Sequence, residues 1–206
     1  MPARFVTVSG PVRRTAAWFF TVLAIGSCGA ISLASAGDSR LDDVMRELAQ
    51  RRHGHAAFVE RQYLAILERP LESSGELFYD APGRIEKRTL LPKPSSLMLD
   101  GGTVSIRRGS RTYAASLRDY PQLASLMGSI RATLAGDRAA LEQSYALSFA
   151  ADGIGWTLTL VPRDLAVAAV VARMRISGTG ATVLEVEVRR ADGDRSVMTI
   201  HELPGQ

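Results

Sequence analysis

The order of apolar and polar positions between residues 56 and 102 predicts consecutive antiparallel strands. Short mixed runs are separated there by Pro, Gly, Ser and Asp, which is the pattern of strands joined by turns. In the segment 76–80, alternation places Leu77 and Tyr79 on one face and the carboxylates of Glu76 and Asp80 on the other, and Phe78 interrupts the pattern. The sheet is therefore expected to have one apolar face and one wetter face.

Two longer segments have the spacing of helices instead. Residues 39–52 carry one apolar stripe, with Asp38 or Ser39 as the expected N-cap. Residues 120–134 carry a second stripe, with Pro121 in the first turn, and residues 139–143 suggest a further short helix.

Strand-like runs resume after these helices and continue to residue 202. The first strand is expected over about 56–67, and the whole chain suggests about ten strands. A sheet of that size tends to curl. We therefore predict an α+β fold, in which a large curled antiparallel sheet forms an unclosed half-barrel with an N-terminal helix and a central helical lid.

The first 36 residues read as a secretory signal peptide. Arg4, Arg13 and Arg14 make a basic start, residues 16–25 are apolar, and Ala34-Ser35-Ala36 is a typical cleavage site. The domain would then comprise residues 37–206. Two alternatives stay open, which are acylation at Cys28 in a lipobox-like context and an uncleaved anchor over residues 15–36. In each case the domain is exported, and we expect it in the periplasm.

The charge of the chain limits the classes of function, and its cysteine content limits how the domain can be stabilised. Residues 37–206 carry 22 basic and 21 acidic side chains, a net charge of +1, which argues against a dedicated nucleic-acid binder. The same residues contain no cysteine, so the stability of the domain must come from its core rather than from disulfides.

Candidate catalytic groups are few. The sequence contains no HExxH, GxSxG, phosphate-binding loop or dinucleotide-binding motif. The histidines are His53, His55 and His201, and none has a metal ligand at suitable spacing. Glu185 and Glu187 share one strand face opposite Leu184, Val186 and Val188, which reads as a solvated face. We expect no enzyme, metal or cofactor, although distant residues can still meet in a folded chain.

Several short motifs resemble a known family. They are F-x-x-x-Q (Phe58, Gln62), G-x-L-x-Y-x-x-P (Gly75, Leu77, Tyr79, Pro82), an arginine-containing strand (Arg84, Arg88) and L-x-x-D-G-x-x-V (Leu97, Asp100, Gly101, Val104). In this order they resemble the periplasmic outer-membrane lipoprotein carriers of the LolA/LolB-like group, from Leu41 to Glu202.

The resemblance implies an unclosed barrel whose helices cap an apolar cavity for the acyl chains of lipoproteins or a related lipid. It also implies an inner-membrane donor complex and an outer-membrane acceptor as partners. Two alternatives with the same half-barrel are a periplasmic interaction or sensor module and an outer-membrane-anchored receptor, which Cys28 would favour.

The candidate lipid-binding residues are apolar positions on the expected strands and on the lid. They are Phe58, Leu77, Tyr79, Ile85, Leu97, Leu99, Val104, Leu123, Leu126, Met127, Ile130, Trp156 and Leu158. The same residues would also line an ordinary core, so the sequence leaves open whether they surround a filled interior or a cavity.

The chain departs from the family at two positions. Carriers of this group often have an arginine before the proline that follows the second strand, where it bonds to the helix backbone and holds the lid closed. This chain has Ala81 at that position, and Ile85 replaces a cavity aromatic.

Overall fold

The computed structural model describes residues 34–204 of the 206-residue chain. The signal-peptide prediction, including the alternatives at Cys28, therefore lies almost entirely outside the described residues. The helices are α1 (Ala34–Gln50), α2 (Pro121–Leu134), α3 (Arg138–Ser144) and the short α4 (Leu165–Ala168). The first six strands are β1 (His53–Tyr63), β2 (Leu71–Asp80), β3 (Arg84–Leu91), β4 (Ser95–Asp100), β5 (Thr103–Arg108) and β6 (Arg111–Ser116). The other five are β7 (Tyr145–Asp152), β8 (Gly155–Pro162), β9 (Val171–Thr179), β10 (Thr182–Arg190) and β11 (Arg195–Glu202).

All eleven strands form one antiparallel sheet with the order β6-β5-β4-β3-β2-β1-β11-β10-β9-β8-β7. Two meanders, β1–β6 and β7–β11, are joined where β11 pairs with β1 over Ala56–Tyr63. The edge strands β6 and β7 do not pair with each other, so the sheet is an unclosed half-barrel. The predicted fold class is therefore confirmed.

The first helix and the first strand both differ in extent from the prediction. Helix α1 begins at Ala34 rather than near Ser39, because the preceding Ala-Ser-Ala continues the helix instead of yielding to a cap at Asp38. Strand β1 covers His53–Tyr63 and ends before the predicted Leu67, because residues 64–70 turn away from the sheet. His53 and His55 both lie in this strand.

The apolar stripe of α1 forms the middle of the core. Leu41, Met45 and Leu48 repeat at a spacing of three and four residues and are almost fully buried. They pack with Leu158 and Met174 from the β8–β9 part of the sheet, both of which are 0% exposed. This half of the concave face is a filled core.

Helices α2 and α3 are joined by a tight turn that fits closely against α1. Gly136 in this turn has φ +65°, and a Cβ atom there would lie 2.0 Å from the backbone oxygen of Met45. Arg138 at the start of α3 then bridges back to Asp42 on α1, with Nη1 2.9 Å from Oδ1. Close packing at Gly136 and the ion pair of Arg138 fix α1 against the α2–α3 turn.

Candidate functional site

A cavity of about 410 Å³ lies between α2 and the part of the concave face that α1 leaves uncovered. Its volume falls within the range of roughly 300–1,000 Å³ that small-molecule sites occupy. The helix side of the wall is mostly apolar and includes Leu126, Met127, Ile130 and Leu134 on α2 and Leu48 on α1. The concave face is thus divided into a filled core and an apolar cavity.

Eight of the thirteen predicted lipid-binding residues line this cavity. They are Leu77, Tyr79, Ile85, Leu97, Leu99, Leu126, Met127 and Ile130. The strand members come from β2, β3 and β4, where Tyr79 pairs with Ile85 and Ile85 with Leu99 across the ladder. Strand alternation therefore correctly selected the side chains on the concave face.

The other five predicted residues lie away from the cavity wall. Leu158 and Trp156 belong to the filled core under α1, and Trp156 Nε1 donates a hydrogen bond to the oxygen of Gly180 at 2.9 Å. Phe58 and Val104 are 1% and 4% exposed, while Leu123 is half-buried on α2. Alternation identifies a face of the sheet, but not which part of that face a helix fills.

A second group of wall residues was not among the predicted site residues. These residues come mainly from β10 and β11 and include Val183, Val186, Val188, Met198 and Ile200. From the sequence alternation, Leu184, Val186 and Val188 were expected to form the apolar side of β10. However, Leu184 is 40% exposed, because a register shift between Val183 and Glu185 displaces it from the wall.

A charged cluster around Glu60 interrupts the apolar wall. Lys87 on β3 donates a hydrogen bond to Glu60 on β1, and Ser196 Oγ on β11 donates to Glu60 Oε1 at 2.6 Å. Ser73 Oγ lies 3.4 Å from Glu60 Oε2. Burial raises the pKa of Glu60, but the charge of the Lys87 ammonium and the hydrogen bonds from Lys87, Ser196 and Gln62 outweigh it, so the pKa lies below its usual value. Glu60 is therefore a carboxylate at neutral pH.

A second polar group forms another part of the cavity wall, next to the C-terminal end of α1. Arg51 donates hydrogen bonds to Glu202 and, at 3.0 Å, to the backbone oxygen of Ala181. Thr182 Oγ1 donates to the same carboxylate at 3.0 Å. The hydrogen bond from Arg51 lowers the pKa of Glu202, against the opposing effect of burial, and Thr182 adds to the lowering. These contacts tie α1 to the last strand.

No cluster of three or more His, Cys, Asp or Glu side chains suitable for a metal ion occurs among residues 34–204. In the same range, no helix has both the length and the apolar character to cross a bilayer.

The family is decided by comparison with known proteins. A model of the family described as outer membrane lipoprotein carrier protein LolA-like matches residues 33–201. The chain belongs to this LolA-like family. No curated protein sequence matches it.

Several solved structures are similar at low identity. A LolA superfamily protein from Nitrosomonas europaea is 10% identical over 82% of this chain and 94% of its own, with a TM-score of 0.43. Lipoprotein LppX from Mycobacterium tuberculosis is 11% identical over 82% and 98%, also with a TM-score of 0.43. The MucA/MucB complex from Pseudomonas aeruginosa gives 18% identity over 81% of this chain and 59% of the matched chain, with a TM-score of 0.37.

The turn that follows β2 contacts α2 in a way that differs from the arginine arrangement expected for the LolA-like family. The position before Pro82 is Ala81, but α2 supplies Arg131 to the same turn. A Cβ atom on Gly83 would lie 2.4 Å from Arg131 Cδ, so the aliphatic part of this arginine covers the glycine. The helix also holds Tyr145 at the start of β7, where Ser125 Oγ lies 2.7 Å from the phenol oxygen. The lid is thus fixed by its own side chains.

Proposed function

We propose that this protein binds the acyl chains of lipoproteins, or of a related lipid, in the cavity under α2 and carries them toward the outer membrane. The observation that carries the proposal is the cavity itself, which is apolar over most of its wall and is capped by a helix. An ordinary core at this place would be filled, as it is under α1.

The energetic reason for such a site is the removal of acyl chains from water. Each CH₂ group that enters the cavity contributes roughly 0.8 kcal/mol, so a few methylene groups already give useful affinity. Met127 on the lid suits chains of different shape, because an unbranched thioether side chain adapts its packing. Release then requires displacement of α2 or a competing acceptor.

The proposed location and partners follow from the family and the N-terminal sequence. Export by residues 1–36 would place the domain in the periplasm, either free or anchored through an acylated Cys28. A carrier there receives cargo from an inner-membrane donor complex and delivers it to an outer-membrane acceptor. No catalytic step is needed, because loading and release are binding events.

Native mass spectrometry of protein purified mildly from the cell envelope tests this function. We expect a lipid or acylated-peptide adduct, whose chemical class follows from extraction and fragmentation. The intact mass of the N-terminus distinguishes a free carrier from a lipid-anchored receptor. An adduct-free mass, together with no uptake of added acylated peptide or phospholipid, would refute the carrier and favour an interaction or sensor module.

A further inference from the structure

Three arginines from neighbouring strands stand side by side on the sheet. Arg173 on β9 is the direct cross-strand partner of Arg189 on β10, and Arg189 is the direct partner of Arg195 on β11. Tyr63 on β1 continues this row, because it is paired with Arg195 and its ring centroid lies 4.4 Å from the guanidinium carbon. We call these four residues the arginine row. Like charges directly opposite each other in a sheet are destabilising, so such a row is costly to maintain.

The arginine row lies on the convex face, away from the cavity. Val186 and Val188 on β10 line the cavity, and Arg189 follows on the alternate side of the strand. The same alternation separates Arg195 from Ser196, which is part of the cavity wall. A function of the row is therefore separate from cargo binding in the cavity.

Few acidic groups compensate this positive charge. Glu187 was expected on a solvated face, but it is only 9% exposed, because the neighbouring arginines cover it. Its carboxylate oxygens lie 4.0 Å from Arg189 Nε and 3.8 Å from Arg175 Nη1. Among the described residues, Arg173 and Arg195 form no ion pair within 4.0 Å, and the buried Nε of Arg173 has no hydrogen-bond partner. Within residues 34–204, the charges of Arg173 and Arg195 are thus not neutralised by a carboxylate within ion-pair distance.

An exposed apolar loop adjoins the arginine row. Residues 64–70 follow Tyr63 directly, and in this loop Ile66 is 90% exposed and Leu67 is 41% exposed. The loop is held in place, since Asp194 Oδ1 accepts a hydrogen bond from the Ala65 N–H at 2.9 Å. Ile66 and Leu67 are adjacent and form an exposed apolar patch, which is a feature found at interaction sites.

We infer that the arginine row and the loop 64–70 together dock this protein onto an anionic phospholipid bilayer. Guanidinium groups form paired hydrogen bonds with phosphate oxygens, which an anionic headgroup layer presents in large number. Ile66 and Leu67 then enter the boundary between headgroups and acyl chains. An acidic protein segment would satisfy the charges but would leave the aliphatic tip in water, so the bilayer fits both features.

Vesicle binding tests this inference directly. The chain is expressed with its own N-terminal segment and purified in the form that the cell accumulates, and the parent and all variants are compared in that form. Co-sedimentation is measured with vesicles of phosphatidylcholine alone and with equimolar phosphatidylcholine and phosphatidylglycerol. We expect preferential binding to the mixed vesicles and a decline as salt is added, because salt screens exposed charges.

The charge component is isolated with two triple variants of equal net charge. R173Q/R189Q/R195Q removes the row, and R52Q/R84Q/R118Q removes three exposed arginines near the opposite ends of the strands. Each arginine at an anionic surface contributes roughly a fivefold factor in partitioning, so the first triple variant should lose about 100-fold and the second little. Circular dichroism should show that the first variant keeps the fold of the parent, because relief of the like-charge contacts offsets the loss of the Arg189–Glu187 ion pair and Arg175 still faces Glu187.

The contribution of the apolar loop 64–70 is tested with a second pair of variants, one in the loop and one control elsewhere. Ile66→Ser should weaken binding to mixed vesicles several-fold, whereas Ile154→Ser should not, although Ile154 is 86% exposed in the turn between β7 and β8. Equal effects of the two triple variants, or equal binding to both vesicle types, would overturn the inference. So would a parent that binds neither vesicle type, which is the result expected if the row instead serves an acidic protein.

Discussion

Lys87 and Glu60 form an ion pair that spans an intervening strand on the wall of a mostly apolar cavity. Lys87 belongs to β3 and Glu60 to β1, and the ammonium also lies 4.9 Å from the centroid of the Phe58 ring. Withdrawing two charges from water is expensive, and the pair is tolerated because Ser196 and Ser73 add hydrogen bonds to the carboxylate. Removing one partner should therefore cost more than removing both.

Lys87→Met should destabilise the fold, because it leaves Glu60 as a buried carboxylate without its counter-ion. Breaking a fully buried pair costs roughly 3–5 kcal/mol, but the Lys87 side chain is 25% exposed, so we expect a loss of about 2 kcal/mol. The double variant E60L/K87M should return to within about 1 kcal/mol of the parent. Urea unfolding of the parent and both variants measures this, and a double variant less stable than K87M would contradict it.

The stability of the parent should depend on the ionisation of Glu60 in acid. Its pKa in the folded protein lies below the ordinary value of 4.5, so the unfolded chain takes up a proton first as the pH falls. The contribution of the ion pair is then present in full above pH 4.5 and is lost as the pH falls through the folded pKa. The free-energy difference between the parent and E60Q should shrink over that interval. The titration of Glu202 contributes equally to both proteins and cancels in this difference. A free-energy difference between parent and E60Q that stays constant with pH would therefore refute the assignment to Glu60.

Met127→Glu should abolish lipid binding without unfolding the sheet. Met127 lines the cavity from α2, and an unpaired carboxylate in an apolar site costs several kcal/mol, so affinity for an acylated peptide should fall at least about 100-fold. Leu126→Glu should act in the same direction, but Leu126 also packs against the core, so Met127 is the cleaner position.

Leu123→Glu provides the control on the same helix, because Leu123 is not part of the cavity wall. It should bind the acylated peptide as the parent does. Retention of the peptide is measured by native mass spectrometry, and circular dichroism confirms the fold of each variant. Undiminished binding by a folded Met127→Glu variant would place the lipid elsewhere.

Gly136→Ala should destabilise the domain by about 2 kcal/mol or more. The residue has φ +65°, where an L side chain costs roughly 1–2 kcal/mol, and the new Cβ would also meet the Met45 oxygen at 2.0 Å. Gly102→Ala is the matched control, because a Cβ atom added there would have no other atom within 4 Å. Its stability should change by less than about 0.5 kcal/mol. Equal melting temperatures of the two variants would show that α1 does not depend on this close approach.

Local patterns in the sequence were sufficient to predict the helices and strands and the face that each strand buries. The alternation in β2 that puts Leu77 and Tyr79 together, and the helical spacing of Leu126 and Ile130, depend on neighbours within a few residues. For that reason the half-barrel and its lid could be predicted, and eight of the thirteen predicted residues lie in the cavity wall.

The tertiary structure decided where the interior is filled and where it is empty. Leu158 and Leu77 follow the same strand rule, yet Leu158 lies under α1 and Leu77 faces the cavity, because the position of α1 depends on the close approach of Gly136 to Met45. The same holds for charges that lie far apart in the chain. Glu60 meets Lys87, and Arg189 stands between Arg173 and Arg195, only through strand register, which is set by the packing of the whole sheet.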